Sequence, residues 1–342
     1  MTLHEFLRAI PKISLHVHLE GSVQAKTVVA LAAKHGVALP PFREPEDLYD
    51  YPDILKFLEM YSTVAHVVRD ADDFHRITYE TLQEAHAHHV RYREMFWSPM
   101  AHREVGVAYR TAVDGIIAGI RDAAKDFGIQ CRLIADIDRM KDPEAGLAMV
   151  QEVLAERRDE VIGVGLDYAE SGNPPEKFWK AFRLAGANGL RLTAHACEEG
   201  PPRNIETCLD LLGCERIDHG YHVIDDERIM ARCAAEGVVF NCTPVSTAWV
   251  YFGPDFSRHP IRRMVAAGLK VTVDCDDPPM FKTDPTRDYL VMADHMGFGP
   301  EDFRGFVGNA IDGCWLDDPT KRRMRREWTR EIDQLAAGLS VA

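Results

Sequence analysis

Two histidines at alternate positions, in Leu15-His16-Val17-His18, are the first residues in this chain that could do chemistry. On a β-strand, residues two apart face the same way. Alone, the pair is explained as well by buried structural histidines as by a metal, for which neutral imidazole is the commonest side-chain ligand. The pattern sharpens further on: His195-Ala-Cys-Glu198, Asp218-His219-Gly220 and Asp274-Cys-Asp276-Asp277-Pro278 each follow a short apolar run. A divalent metal on His16, His18, His195 and Asp276 leaves a position for water and lowers its pKa from ~15.7 toward ~7. Three histidines with one carboxylate suit zinc (Zn2+), while Fe2+ and Co2+ accept the same set. Glu198, His219 and Asp277 are then free for proton transfer and substrate binding.

Residues this far apart need a scaffold that gathers them. Apolar runs at 13–18, 91–97, 131–137, 161–167, 191–195, 216–219, 238–243 and 270–274 read as strands. Segments of helical periodicity separate most of them. The alternation predicts an α/β fold, a (β/α)8 TIM barrel. Active sites of such barrels sit at the C-terminal ends of the strands, and four of the eight runs end in His, Glu or Asp. The long gap between the first two runs holds three helix-like stretches, 25–36, 54–67 and 71–88. They predict a helical insertion after the first strand, about 25–90, over the end where substrate enters. Apolar residues at helical spacing within 318–336 predict a packed C-terminal helix with one solvated face. With no Ser/Gly- or Pro-rich linker, residues 1–342 read as a single domain.

Composition narrows the partners. The 342 residues exceed the ~250 typical of a barrel, and 46% are hydrophobic, which allows a large core. A net charge of −14 argues against a nucleic-acid partner, because phosphate binding needs clustered Lys and Arg; a neutral nucleobase stays open. The first residues lack a basic-then-apolar leader, and no stretch nears ~18 apolar residues, so no membrane span is expected. Eight scattered cysteines without a CxxC pair suit small apolar roles in a reducing cytoplasm. The sequence leaves a homo-oligomer open.

Taken in order, HxH, GLDxxE, HAxE, RxxHG and DDP resemble the adenosine deaminase family of metal-dependent amidohydrolases, from near the N-terminus to about residue 310. The resemblance implies a mononuclear zinc site on His16, His18, His195 and Asp276. It implies that Glu198 protonates N1 of a 6-aminopurine while hydroxide attacks C6, that His219 orients and deprotonates the water, and that Asp277 meets N7. Burial would keep Glu198 an acid near neutral pH.

Within the family the motifs lean toward the adenine branch. Glu20, in His18-Leu-Glu20-Gly21-Ser22, stands where adenosine deaminases carry an Asp that meets the ribose. Glu94-Met-Phe96-Trp-Ser-Pro99 is similar to the adenine branch's E-x-F-F-x-P, where the adenosine branch has Arg at the Phe96 position. Arg216-Ile-Asp218-His219-Gly220 resembles RIDHG, and His195 through Pro202 resembles HAGEEGPP, with Cys197 replacing the glycine. Tyr168-Ala169 replace the two serines of GLDSSE, and Tyr221-His222 look like the adenosine branch. The expected substrate contacts are therefore Asp277, Glu20, Tyr168 and Phe96, with Trp97 and Trp249 as further candidates to close the pocket. The implied enzyme is an aminohydrolase of cyclic amidines converting adenine to hypoxanthine and ammonia. Alternatives are adenosine to inosine, an N6- or N9-modified adenine, or another mononuclear amidohydrolase reaction.

Overall fold

The computed structural model describes residues 1–253 and 255–340. Its eight strands are β1 (Lys12–Ser14), β2 (Val90–Trp97), β3 (Gln130–Asp138), β4 (Val161–Asp167), β5 (Arg191–Ala196), β6 (Arg216–His219), β7 (Val239–Cys242) and β8 (Lys270–Val273). They pair in parallel, in sequence order. The barrel closes just beyond β1 and β8, where His18 N–H donates to Asp276 O at 3.0 Å and Asp276 N–H donates to His16 O at 3.2 Å. The (β/α)8 barrel expected from the sequence is thus the fold.

The first strand is shorter than its apolar run. Leu15 N–H is taken by the Asp274 carboxylate at 2.8 Å, which interrupts the ladder. Pairing resumes only at Val17 and His18, which bridge Asp276 and Phe96. The inward alternation survives the interruption.

Four helices precede β2: α1 (Leu3–Ala9), α2 (Ala25–His35), α3 (Ile54–Val67) and α4 (Ala71–Ala87). Asp53 caps α3 by accepting Lys56 N–H at 3.0 Å, a common helix start. α3 lies over the barrel mouth and presents Phe57, Leu58 and Tyr61 to the cavity below. α4 instead packs on the flank against the helix Tyr109–Phe127. The approach there is close enough that a Cβ on Gly115 would fall 2.5 Å from Ala71 O. At the other end, the helix Asp318–Ala336 buries Met324, Trp328 and Ile332, as its periodicity predicts. No helix among the described residues is long and apolar enough to cross a membrane, and all eight cysteines are unpaired and buried.

The barrel interior is unusually polar. Near the N-terminal ends of the strands, Glu94 and Arg216 form an ion pair at 0% and 1% exposure. Tyr92 O–H (2.8 Å) and Trp315 N–H (2.6 Å) also donate to Glu94, and the Arg216 guanidinium stacks 3.9 Å above the Trp315 ring. A buried pair is tolerable only when its remaining hydrogen-bonding capacity is met, and here Glu94 gains two further donors. One layer up, Thr193 Oγ1–H (2.5 Å) and Asn241 Nδ2–H (2.7 Å) donate to Asp218, while Thr272 Oγ1–H donates to Asn241 Oδ1 at 3.0 Å. This network supports the layer above it.

Candidate metal and acid–base centre

At the C-terminal ends of the strands, side chains from β5 and β6 and from just beyond β1 and β8 converge. His18 Nε2 lies 3.1 Å from His195 Nε2. Asp276 Oδ1 lies 3.2 Å from His16 Nε2 and 3.5 Å from His18 Nε2. His219 joins from β6, and one ligand atom each from His16, His195, His219 and Asp276 falls within 4.8 Å of the others. Burial pushes the His18 imidazole down to about 4, the His219 imidazole to about 3, and that of His195 well below its ordinary range. These three rings are held neutral, the state in which imidazole binds metal, whereas, against the effect of burial, Asp218 and Asp276 beside His16 push its imidazole up to about 10. Buried nitrogens crowded around a carboxylate, with His16 Nε2 lacking any hydrogen-bond partner, fit a cation.

Carboxylates stand behind the two imidazoles that follow β1. His16 Nδ1 is 3.5 Å from Asp218 Oδ1, and His18 Nδ1 is 3.6 Å from Asp136 Oδ2. Such partners fix ring orientation and leave Nε2 for the metal. The Phe96 ring packs against the same imidazoles, 5.1 Å from that of His18 and 5.3 Å from that of His16.

The backbone turns sharply where the strands deliver these groups. Tyr168, Cys197, His219 and Asp276 have φ of 63°, 60°, 67° and 61°. Left-handed backbone at a non-glycine residue costs about 1–3 kcal/mol and tends to cluster at functional sites. It also explains why the motif similar to His195-Ala-Cys-Glu198 carries glycine at the position of Cys197. Beyond Cys197, Glu198 points inward with Oε2 3.6 Å from His219 Nε2. Burial, with Asp276 and Glu170 nearby, raises its carboxyl well above the usual range, so it keeps its proton.

Glu170 shapes that loop. Its Oε1 accepts Cys197 N–H (2.8 Å) and Asn204 Nδ2–H (2.6 Å), and its Oε2 accepts Glu198 N–H (3.0 Å) and Gly200 N–H (2.9 Å). The Asp277 carboxyl is also buried, with Oδ1 unpartnered. Burial and the adjacent Asp276 raise it well above the carboxylate range. It fits only because residue 21 is glycine: a Cβ there would lie 1.5 Å from Asp277 Oδ1.

These groups open into a cavity of about 320 Å³. His18, His195, His219 and Asp276 line it, together with Glu198, Asp277 and Tyr168; His16 lies beneath. Two expected substrate contacts fall elsewhere. Phe96 is completely buried under the imidazoles. Glu20 is also completely buried, with Oε1 accepting Ser98 N–H (3.0 Å) and lying 2.8 Å from His102 Nε2, and Oε2 accepting Tyr61 O–H (3.2 Å). Neither lines the cavity. Trp97, a candidate to close the pocket, packs in the core against Tyr109, and Trp249 sits 42% exposed beside Phe281 and Tyr51. The sequence reading missed Tyr61, Asp136, Glu170 and Gly21 as site-forming residues. A carboxylate inside an apolar strand run, as at Asp136, is the clearest signal it passed over.

Comparison with known proteins agrees with this geometry. The model of the adenosine deaminase family matches residues 11–330. An adenine deaminase from Rhodospirillum rubrum is 35% identical over 321 residues, 93% of this chain and 96% of that protein. One from Vibrio parahaemolyticus is 32% identical over 335 residues, 97% of this chain and 99% of its own. The crystal structure of adenine deaminase from Arthrobacter aurescens superposes with a TM-score of 0.91 at 33% identity, covering 95% of this chain and 100% of that one. An amidohydrolase from Burkhoderia ambifaria, solved with bound zinc, gives 0.93 at 42% identity, covering 98% and 93%.

Proposed function

This chain belongs to the adenosine deaminase family and is a hydrolase of C–N bonds in cyclic amidines; from that premise we propose that it deaminates adenine to hypoxanthine, using one zinc ion. The observation that carries the reading is the placement of Glu198, with Oε2 3.6 Å from His219 Nε2, beside a cluster able to hold a metal and in the same cavity wall as Asp277. The adenine deaminases at 32–35% identity over nearly the whole chain support the choice of substrate.

Held by His16, His18, His195 and Asp276, zinc would lower the pKa of water toward ~7 and so supply hydroxide at neutral pH. Everything else falls to the side chains. Glu198, kept protonated by burial, donates to N1 of the purine and withdraws electrons from C6, which becomes open to attack. His219, kept neutral, accepts the proton that water gives up. Asp277 is also held in its protonated form, so its O–H can donate to the N7 lone pair and orient the ring. Returned from His219 to the amino group, the proton makes ammonia the leaving group; as the C6 hydroxyl becomes a carbonyl its proton passes back to Glu198, and the base emerges as a 6-oxopurine. Adenine and one water are consumed; hypoxanthine and one ammonia are formed. The same reading keeps the enzyme in a reducing cytoplasm, which suits its eight unpaired cysteines.

Chromatography of the bases after incubating zinc-loaded protein with adenine tests this. Hypoxanthine appearing in step with adenine loss is expected; adenine left intact while adenosine or an N6-substituted adenine is consumed would replace the substrate and keep the mechanism.

A further inference from the structure

Glu20 does not reach the cavity, yet it is tied to a residue that does. Tyr61 of α3 lines the cavity at 4% exposure. Its hydroxyl lies 3.2 Å from Glu20 Oε2 and 3.1 Å from Ser98 Oγ. Its ring stands 6.1 Å from the His18 ring and meets the Tyr168 ring edge-on, at 5.7 Å and 90°. The phenol is therefore held at its tip by polar partners and along its edge by a second aromatic.

We infer that Tyr61, anchored by Glu20 and Ser98, closes the cavity against a substituent on N9 and so restricts the enzyme to free 6-aminopurine bases. The inference rests on the adenine deaminase reading, which places N1 at Glu198 and N7 at Asp277. A purine held at those two atoms turns C6 toward the metal cluster and carries N3 and N9 at its far end. That pose sets Tyr61 and Tyr168, which line the cavity and meet edge-on, at that end. A sugar there would have to displace the Tyr61 ring and break its buried hydroxyl contacts, leaving Glu20 Oε2 unpaired; an unsatisfied buried acceptor is costly, more so when charged. Glu20 is thus a positioning residue acting through Tyr61, and Tyr61 sets specificity.

The test compares kcat/KM for adenine, 9-methyladenine and adenosine in the wild type, Tyr61→Ala and Tyr61→Phe, with zinc content and thermal melting checked for each protein. The wild type should prefer adenine to adenosine by about 100-fold or more, in line with what pocket shape can achieve. Tyr61→Ala should narrow that ratio by about 100-fold, and Tyr61→Phe, which keeps the ring but loses both hydroxyl contacts, by about tenfold. If Tyr61→Ala does not fold, the near-isosteric Tyr61→Phe decides. An unchanged ratio in folded, zinc-loaded Tyr61→Phe overturns the inference, as does a wild type that takes adenosine as readily as adenine. A wild type inactive on adenine overturns the adenine reading itself, so the two failures are told apart.

Discussion

The backbone N–H of Glu198 donates to Oε2 of Glu170 at 3.0 Å. The same carboxylate collects the N–H groups of Cys197 and Gly200 and the amide of Asn204, so one buried side chain fixes the loop that carries the proposed proton donor. A glutamine at 170 offers one acceptor oxygen where two are used. Glu170→Gln should keep zinc but lower kcat for adenine by about 10–100-fold, the usual cost of losing an orienting partner. Paired measurement of kcat and zinc content checks this, and an unchanged kcat removes Glu170 from the site's framework.

Gly21 leaves the space that the Asp277 carboxyl occupies. Gly21→Ala should push Asp277 off the purine and raise KM for adenine by about tenfold or more, with zinc retained, because loss of a ground-state contact appears in KM. A KM equal to the wild type's would mean that Asp277 does not hold the base.

The proposed zinc site uses His16 directly and Asp136 through His18. His16→Ala should lose zinc, and full zinc occupancy in that variant would take His16 out of the ligand set. Asp136→Ala should retain the fold but weaken zinc binding by about 10–100-fold, read by chelator competition. Affinity equal to the wild type's would mean that the 3.6 Å approach to His18 Nδ1 does no orienting.

Burial pushes the Asp288 carboxyl up to about 8, even though Val245 N–H and Thr283 O–H donate to it at 2.9 Å and 2.7 Å. Between the unfolded value of ~3.9 and about 8, the folded protein holds a proton that the unfolded chain has released. Stability therefore falls as pH rises through that window. Asp288→Asn should flatten this slope. Melting temperatures of zinc-free wild type and variant, compared from about pH 5 to about pH 8, give the answer; parallel curves would contradict it.

The ion pair between Glu94 and Arg216 joins two segments first noticed as family motifs, yet neither residue lines the cavity. Arg216→Met should leave Glu94 buried without its partner and cost about 3–5 kcal/mol, measurable by denaturant unfolding. Pairing it with Glu94→Leu should restore much of the loss. A single variant as stable as the wild type would refute the structural role.

The strand positions, the barrel and the metal-binding cluster were legible because each is written in local pattern: apolar runs of strand length, and His, Glu or Asp just past their ends. Side-chain reach was not legible. Glu20 and Phe96 sit in motifs beside metal-site residues, but Glu20 is drawn under Tyr61 by three partners and Phe96 is packed beneath imidazoles. Tyr61 itself comes from a helix over forty residues downstream of His18, and nothing in helical periodicity distinguishes a residue facing a cavity from one facing a core. The interrupted β1 ladder was hidden as well, since a side chain rather than a strand takes Leu15 N–H.

The central claim is that Glu198 donates a proton beside a metal site it does not help to build. The direct test is to measure zinc stoichiometry and the rate of ammonia release from adenine in Glu198→Gln. One zinc per chain with a rate lower by about 10²–10⁴-fold is predicted, the range general acid catalysis contributes. A rate near that of the wild type, or loss of the zinc along with the activity, would contradict it.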